Sequence, residues 1–250
     1  MRSLLTNDDG IGAEGLSMLE GALGRLPGSE IYTVAPLDER SAASHSISLR
    51  RGIRYVKFEA QRWGVEGTPV DAVIMALSQV LGFRPDLVVS GINHGGNLGK
   101  NVHYSGTVSA AAEAVLNGIP AMAVSLCGRP PYDFAPTAGL VAGLVARVLA
   151  RGMPEGCLLN VNVPNAWSNG VRATRAYRHL ARTSLVEIEG REGLWFREEL
   201  DPAQAPPDSD YTAIREGSAS VSLLEVFHAG KDEKVEIGDF LDLDSLHSGR

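Results

Sequence analysis

Apolar residues along this chain follow two rhythms that take turns. Short continuous runs bounded by Gly, Pro, Asn or Asp predict strands at Met1 to Thr6, Glu30 to Pro36, Asp86 to Gly91, Ile119 to Leu126 and Cys157 to Pro164. Between them apolar residues recur every three or four positions, as on one face of a helix. Leu16, Leu19, Leu23 and Leu26 mark such a face within Ala13 to Leu26, which Pro27 and Gly28 end. Thr68, Pro69, Val70 and Asp71 read as a capping box with Pro in the first turn, and the buried stripe expected beyond it is Val70, Val73, Ile74, Leu77 and Leu81. Two more helices are expected over Ser109 to Asn117 and over Phe134 to Arg151, the latter stopped by Gly152.

This alternation of strand and helix predicts an α/β protein with a mainly parallel sheet and helices on both faces. DLVVSG (Asp86 to Gly91) supports it, because a strand covered on both faces is apolar throughout. Residues 1–165 are expected to form this core. After Pro164 the pattern changes. GVRATRAYRHLARTSLVEIEGREGLWF reads as strands and hairpins, DPAQAPPDSD as a Pro-rich surface loop, and SASVSLLEVF as an alternating strand that can return to the sheet. Residues 166–250 are therefore expected to add a β-rich accessory region to one composite domain, with an amphipathic tail at the end.

Composition narrows the class. A chain of 250 residues can bury a substantial core, and its 44% hydrophobic and 21% charged residues are ordinary for a globular protein and argue against wholesale disorder. A net charge of −7 gives no overall basic face for polymeric DNA or RNA, although a local cation suits a small phosphorylated ligand. Cys127 and Cys157 lie in no C-x-x-C or Cys/His ligand pattern and read as small buried apolar residues in a reducing compartment. No run reaches the ~20 apolar residues needed to span a bilayer, and no signal-like apolar stretch precedes Asn7. A cytoplasmic protein with no membrane partner is expected.

Ligands of an open parallel sheet bind outside the carboxyl ends of its strands, so the loops there hold the candidate chemistry. Asn7, Asp8 and Asp9 follow the first strand; Asp38, Ser41, Ser44 and Ser46 follow the second; Asn93 and Asn97 follow DLVVSG among four glycines. Gly10 to Gly15 also match the G-x-G-x-x-G spacing of a dinucleotide turn. A pyrophosphate there would lie beside two carboxylates, which favour a cation, so the glycines are expected to serve a sharp turn and close helix packing. Taken alone, Asp8 and Asp9 suit either a helix cap or a cation. Convergence of the hydroxyl and amide loops favours the cation, and an all-oxygen set suits Mg²⁺ or Mn²⁺ over Zn²⁺. Tyr104, Ser105, Gly106 and Thr107 enter a helix with hydroxyls and amide N–H groups, which fits either an anion site or an ordinary N-cap.

With NDDG, RSAAS, GTPVDAV, DLVVSGIN, NLG, YSGTVSAAAEA, GIPAMAVS, LNVNVP and DYTAIREG in order, the chain resembles the SurE family of survival-protein nucleotidases. The resemblance implies a Rossmann-like core and a phosphatase that uses one divalent cation per subunit, Mg²⁺ or Mn²⁺, on nucleoside 5′- and 3′-monophosphates, with short polyphosphate as a further substrate of some members. It implies a homodimer or homotetramer whose C-terminal parts exchange, a role the apolar Ile237, Phe240, Leu241 and Leu243 would suit. The metal ligands it implies are Asp8, Asp9, Ser41 and Asn93, and the phosphate side is Asn97, Ser105, Gly106 and Thr107. Two departures are visible: Ala42 stands where many members have Gly, and GSASVSLLEV replaces GYVSVTPL.

The expected chemistry is metal-assisted phosphomonoester hydrolysis, in which Asp8 or Asp9 orients or deprotonates water. A phosphoaspartyl route through Asp8 ranks lower because D-x-D spacing is absent. His45, His94 and His103 lie in the active loops as candidate acids, with no essential role expected for His103. The basic run from Arg172 to Arg182 reads as solvated surface. A non-catalytic nucleotide or dinucleotide sensor at the same edge is the competing class.

Overall fold

The computed structural model describes residues 1–177, 182–188, 190, 192–199 and 204–226. Its elements in chain order are β1 (Arg2–Thr6), α1 (Glu14–Gly24), β2 (Glu30–Pro36), β3 (Tyr55–Glu59), β4 (Arg62–Val65), α2 (Pro69–Met75), β5 (Leu87–His94), α3 (Gly106–Leu116), β6 (Ala121–Cys127), α4 (Ala135–Arg151), β7 (Cys157–Pro164), β8 (Val171–Thr174), β9 (Arg182–Glu187), β10 (Leu194–Glu199), α5 (Asp210–Arg215) and β11 (Ala219–Glu225). Nine strands form one sheet in the order β3-β4-β2-β1-β5-β6-β7-β11-β8, while β9 and β10 pair separately as a hairpin. Pairing is parallel from β4 through β7, and β11 returns antiparallel against β7. The expected α/β, Rossmann-like, mainly parallel architecture is present.

Side chains alternate across a strand, and here consecutive apolar residues feed two cores. Leu5, Val89, Met122 and Val124 point to one face, where Leu16, Leu19 and Leu23 of α1 and Val141, Val145 and Val148 of α4 cover them. Leu4, Val88, Ala121 and Ala123 point to the other, under Ala72 and Val73 of α2 and Ala110, Ala111 and Ala114 of α3. The runs read as continuous apolar strands are thus continuous because each face has its own helical layer.

Two local expectations are corrected. Ile74 is 37% exposed and Leu77 only partly buried, because α2 ends at Met75 and Ala76–Val80 winds as a π-turn that rotates the stripe. Buried in their place are Ala72 and Ala76, with Val70, Val73 and Leu81 as expected. Helix α3 begins at Gly106, one turn before the expected Ser109. The hairpin β3–β4 and the short α5 carried no recognised signal; every residue of β3 is exposed, so no alternation marked it. The expected capping box is formed, with Thr68 Oγ1 accepting from the Asp71 N–H and Asp71 Oδ2 from the Thr68 N–H. Both cysteines are buried and free, and burial pushes the Cys127 thiol up to about 12. Among the described residues no helix is long and apolar enough to cross a membrane. The apolar tail positions Ile237, Phe240, Leu241 and Leu243, and part of the basic run to Arg182, lie outside the described residues.

Candidate active site

Strand β1 lies between β2 and β5, so the chain leaves it in one direction towards β2 and returns on its other side through β5. Loops diverge at such a reversal and leave a crevice at the carboxyl edge. Asn7, Asp8 and Asp9 follow β1 at that edge, and Asn93 and His94 end β5 beside them. Asn7 turns the chain within its own loop: its Nδ2 donates to the Gly10 carbonyl at 2.8 Å and its Oδ1 accepts from the Gly10 N–H at 3.2 Å. The next residues must therefore face the crevice.

The two carboxylates meet different surroundings. Asp8 is buried, and its Oδ2 accepts from the Thr107 N–H at 3.1 Å while its Oδ1 accepts from the Thr107 hydroxyl. Burial raises its pKa above the ordinary carboxylate value; the Thr107 hydroxyl bond opposes that, and the charge of Asp9 adds to it. Asp9 Oδ2 accepts from the His94 N–H at 3.2 Å and lies 3.0 Å from His94 Nδ1. His94 in turn sits edge-on to Tyr132 and Phe134, at 5.3 and 5.1 Å between ring centroids. Gly106 lets α3 approach: a Cβ there would fall 2.9 Å from Asp8 Oδ2 and 3.0 Å from Pro69 Cγ.

The remaining candidates are placed less uniformly. Asn93 Nδ2 donates to the Gly95 carbonyl at 2.8 Å, which leaves Oδ1 as the atom available to a cation. Ser41 lies on an exposed loop and its hydroxyl donates to Glu39 Oε1 at 2.6 Å, not to either aspartate. That loop reaches the site through the neighbouring Arg40 N–H, which donates to the Asp8 carbonyl at 2.7 Å. Ser105 is the N-cap of α3, accepting from the Val108 N–H at 3.0 Å. Of the expected free amides, Tyr104 N–H donates to the Asn101 carbonyl at 3.1 Å and Thr107 N–H to Asp8, leaving the Ser105 and Gly106 N–H groups and the Ser105 hydroxyl proton as donors. Asn97 is buried, with its side chain donating to Ser125 Oγ at 2.8 Å.

The glycine pattern has the expected structural use. Gly10 has φ 98°, and a Cβ on Gly15 would lie 2.2 Å from the Ile92 carbonyl oxygen, so this glycine lets α1 rest on β5. Among the described residues no group of three or more His, Cys, Asp or Glu is gathered for a metal. The donors at the crevice are instead two carboxylates and the Asn93 amide oxygen, all oxygen atoms of the kind that suits a hard divalent cation, while the Ser41 hydroxyl is turned to Glu39. His45 pairs with Glu113 at 3.0 Å, away from Asp9.

A family model described as Survival protein SurE matches residues 3–184. The chain belongs to the SurE family. A protein of Anaeromyxobacter sp. (strain Fw109-5) named 5'-nucleotidase SurE is 45% identical over 232 residues, covering 90% of each chain. Another of that name, from Symbiobacterium thermophilum, is 43% identical over 230 residues, covering 88% of this chain and 90% of the relative. The crystal structure of the SurE protein from Aquifex aeolicus superposes with a TM-score of 0.86 at 33% identity, covering 96% of this chain and 99% of that one. Sequence reasoning about this SurE chain missed Asn160, Asn162 and Asp210, which all bond to the loop after β5. The signal was present: two asparagines interrupt an otherwise apolar strand, and Asp210 stands in the quoted DYTAIREG.

Proposed function

We propose that this protein is a divalent-metal-dependent phosphatase of nucleoside 5′- and 3′-monophosphates, active also on short polyphosphate, working in the cytoplasm as a homodimer or homotetramer. Its family and its relatives' name make it a 5′-nucleotidase; the metal dependence and the wider substrate range are the proposal. The observation that carries it is the pairing at the β1–β5 crevice: Asp8, buried and clasped by Thr107, beside Asp9, clasped by His94. Two adjacent carboxylates in that setting favour a cation between them.

Asp8, Asp9, Ser41 and Asn93 would hold one Mg²⁺ or Mn²⁺ per subunit. A cation there supplies charge neutralisation at the phosphoryl oxygens and lowers the pKa of water. Asp8 or Asp9 would also orient or deprotonate the attacking water, a role supported for Asp9 by the bonds through which His94 fixes its orientation. Ser105 and Gly106 offer donors to the phosphate, with Asn97 and Thr107 fixing the turn around it. Oligomerisation is supported by the β9–β10 hairpin, where Leu185, Leu194 and Phe196 are 53%, 60% and 83% exposed. A two-stranded hairpin is marginal by itself and gains from an apolar cover.

The test is release of inorganic phosphate from 5′- and 3′-mononucleotides and tripolyphosphate with Mn²⁺, Mg²⁺ or EDTA. Release is expected with either metal and none with EDTA, and Asp8→Asn is expected to lower it on the order of 10³-fold. Undiminished release in EDTA, or in the Asp8→Asn protein, would sink the reading.

A further inference from the structure

The loop from Gly95 to Thr107 carries the phosphate-side residues, and buried polar groups outside it decide where it lies. Asn97 is held on three sides. Its N–H donates to Asn162 Oδ1 at 2.8 Å, its carbonyl accepts from Asn160 Nδ2 at 2.8 Å and Asn162 Nδ2 at 3.2 Å, and its side chain donates to Ser125. Two residues on, the Gly99 N–H donates to Asp210 Oδ2 at 2.8 Å. Asp210 Oδ1 accepts from the N–H groups of Tyr177 at 3.0 Å and Tyr211 at 2.9 Å. This carboxylate is 0% exposed.

A fully buried carboxylate is a costly way to fill space, and an apolar side chain would fill it more cheaply. What a carboxylate uniquely provides is two acceptor oxygens with no donor, so it can collect several main-chain N–H groups at once. Here they come from three separate segments: the phosphate loop, the chain leading to the β9–β10 hairpin, and the first turn of α5. Gly99 has φ 50°, a turn favourable to glycine that presents its N–H to Asp210. Beyond Gly99 the chain makes one tight turn, Gly99–His103, and enters α3 at the residues that clasp Asp8. The carbonyls of His103 and Tyr104 also accept from the hydroxyl and N–H of Ser44, so the Ser41 loop leans on the same turn.

We propose that Asp210 is a positioning residue of the nucleotide site: with Asn160 and Asn162 it sets the register in which Ser105 and Gly106 meet the substrate phosphate and Thr107 clasps Asp8. This rests on the phosphate-side reading above. Asp210 touches neither substrate nor metal; it acts through Gly99. Asp210→Asn keeps the shape and places an NH₂ group against main-chain donors; turned to the Oδ1 side it would lose both the Tyr177 and Tyr211 bonds, so it is expected on the Oδ2 side, where only the Gly99 bond is lost.

The experiment uses the full chain and calorimetric titration, first with Mn²⁺ alone and then with inorganic phosphate at saturating Mn²⁺. For Asp210→Asn, phosphate affinity is expected to fall about tenfold while Mn²⁺ affinity stays within about twofold. Circular dichroism and a cooperative melt verify that the variant is folded. If it does not fold, Asn162→Ser is judged by the same criterion, since it removes one of the three side chains that hold Asn97. Phosphate affinity within about twofold of wild type in a folded variant overturns the proposal, as does equal weakening of phosphate and Mn²⁺, which a general loosening would give. A wild-type protein that binds Mn²⁺ and phosphate but releases none from nucleotides sinks the nucleotidase reading and leaves this one standing. Failure of the wild type to bind phosphate overturns both.

Discussion

Two loops flank Asp8 with similar side chains, and they are held in opposite ways. The loop after β5 turns its amides and hydroxyls inward: Asn97, Ser105 and Thr107 are buried, and each makes a hydrogen bond inside the protein. The loop after β2 turns outward. Ser41 bonds to the nearby Glu39, Ala42 and Ser44 have φ of 57° and 52°, and the tethers are Arg40 to the Asp8 carbonyl, Ser44 to the His103 and Tyr104 carbonyls, His45 to Glu113, the Ser46 carbonyl to Thr68 and Ser48 to Asp71. Buried polar groups must be paired, so the first loop has few arrangements open to it. The second is tied to the first at Ser44 and to the N-terminus of α2 at Ser46 and Ser48. The contact between α3 and Asp8 therefore reaches the Ser41 loop through Arg40 and Ser44.

The sharpest way to break that comparison is one methyl group in each loop. In Gly106→Ala the new Cβ meets Asp8 at 2.9 Å and Pro69 at 3.0 Å, while in Gly52→Ala it meets nothing within 4 Å. Overpacking at Gly106 is expected to cost ~1–3 kcal/mol in urea unfolding and, by displacing the carboxylate, about 10²-fold in phosphate release. Gly52→Ala is expected to stay within about 0.5 kcal/mol of wild type and to leave the rate unchanged. Similar losses from both variants would show that the two loops are equally constrained.

Much of this was legible before the fold was known, for a physical reason. Leu4, Leu5, Val88 and Val89 are apolar because both faces of their strands are covered, and that pattern alone gives a parallel sheet and its functional edge. Asp8 and Asp9 stand out as an adjacent acidic pair directly after a strand, although the pair alone suits a helix cap as well as a cation. The uses of Asn160, Asn162 and Asp210 were not legible, since they depend on main-chain groups distant in sequence: Gly99 and Asp210 are separated by 111 residues. Nor does a list of donors reveal which are already spent. Thr107 reads as a phosphate ligand and in the fold gives both its N–H and its hydroxyl to Asp8.

A smaller effect sharpens the comparison through pH. Burial raises the Asp210 pKa above its ordinary 3.8, with the Gly99, Tyr177 and Tyr211 N–H groups opposing the shift. The folded state then holds this proton more tightly than the unfolded state, so the contribution of Asp210 to stability is greatest below 3.8 and declines as pH rises through the raised folded value. In Asp210→Asn that decline is absent. Urea unfolding at several pH values from 4 upward, over the range where both proteins stay folded, should show wild type losing stability relative to the variant as pH rises. A pH-independent difference would mean that the three N–H groups offset the burial, and that the inner loop does not carry the electrostatic cost assigned to it.

The smallest expected effect falls in the outer loop, at Ala42. Ala42 is held at φ 57°, where a Cβ crowds the backbone at a cost of ~1 kcal/mol that glycine does not incur. Glycine's freer unfolded chain offsets part of the gain, so Ala42→Gly is expected to add roughly 0.5 kcal/mol and raise Tm by about 1–2 °C. Ser44 supplies the control, because it shares the conformation but its hydroxyl donates to the His103 carbonyl at 2.7 Å. Ser44→Gly relieves the same crowding and loses that bond, worth about 1 kcal/mol, so its Tm should stay level or fall. If Ser44→Gly instead stabilises as much as Ala42→Gly, the outer loop does not depend on its bond to the inner one, and the dependence of one loop on the other fails at the point where they touch.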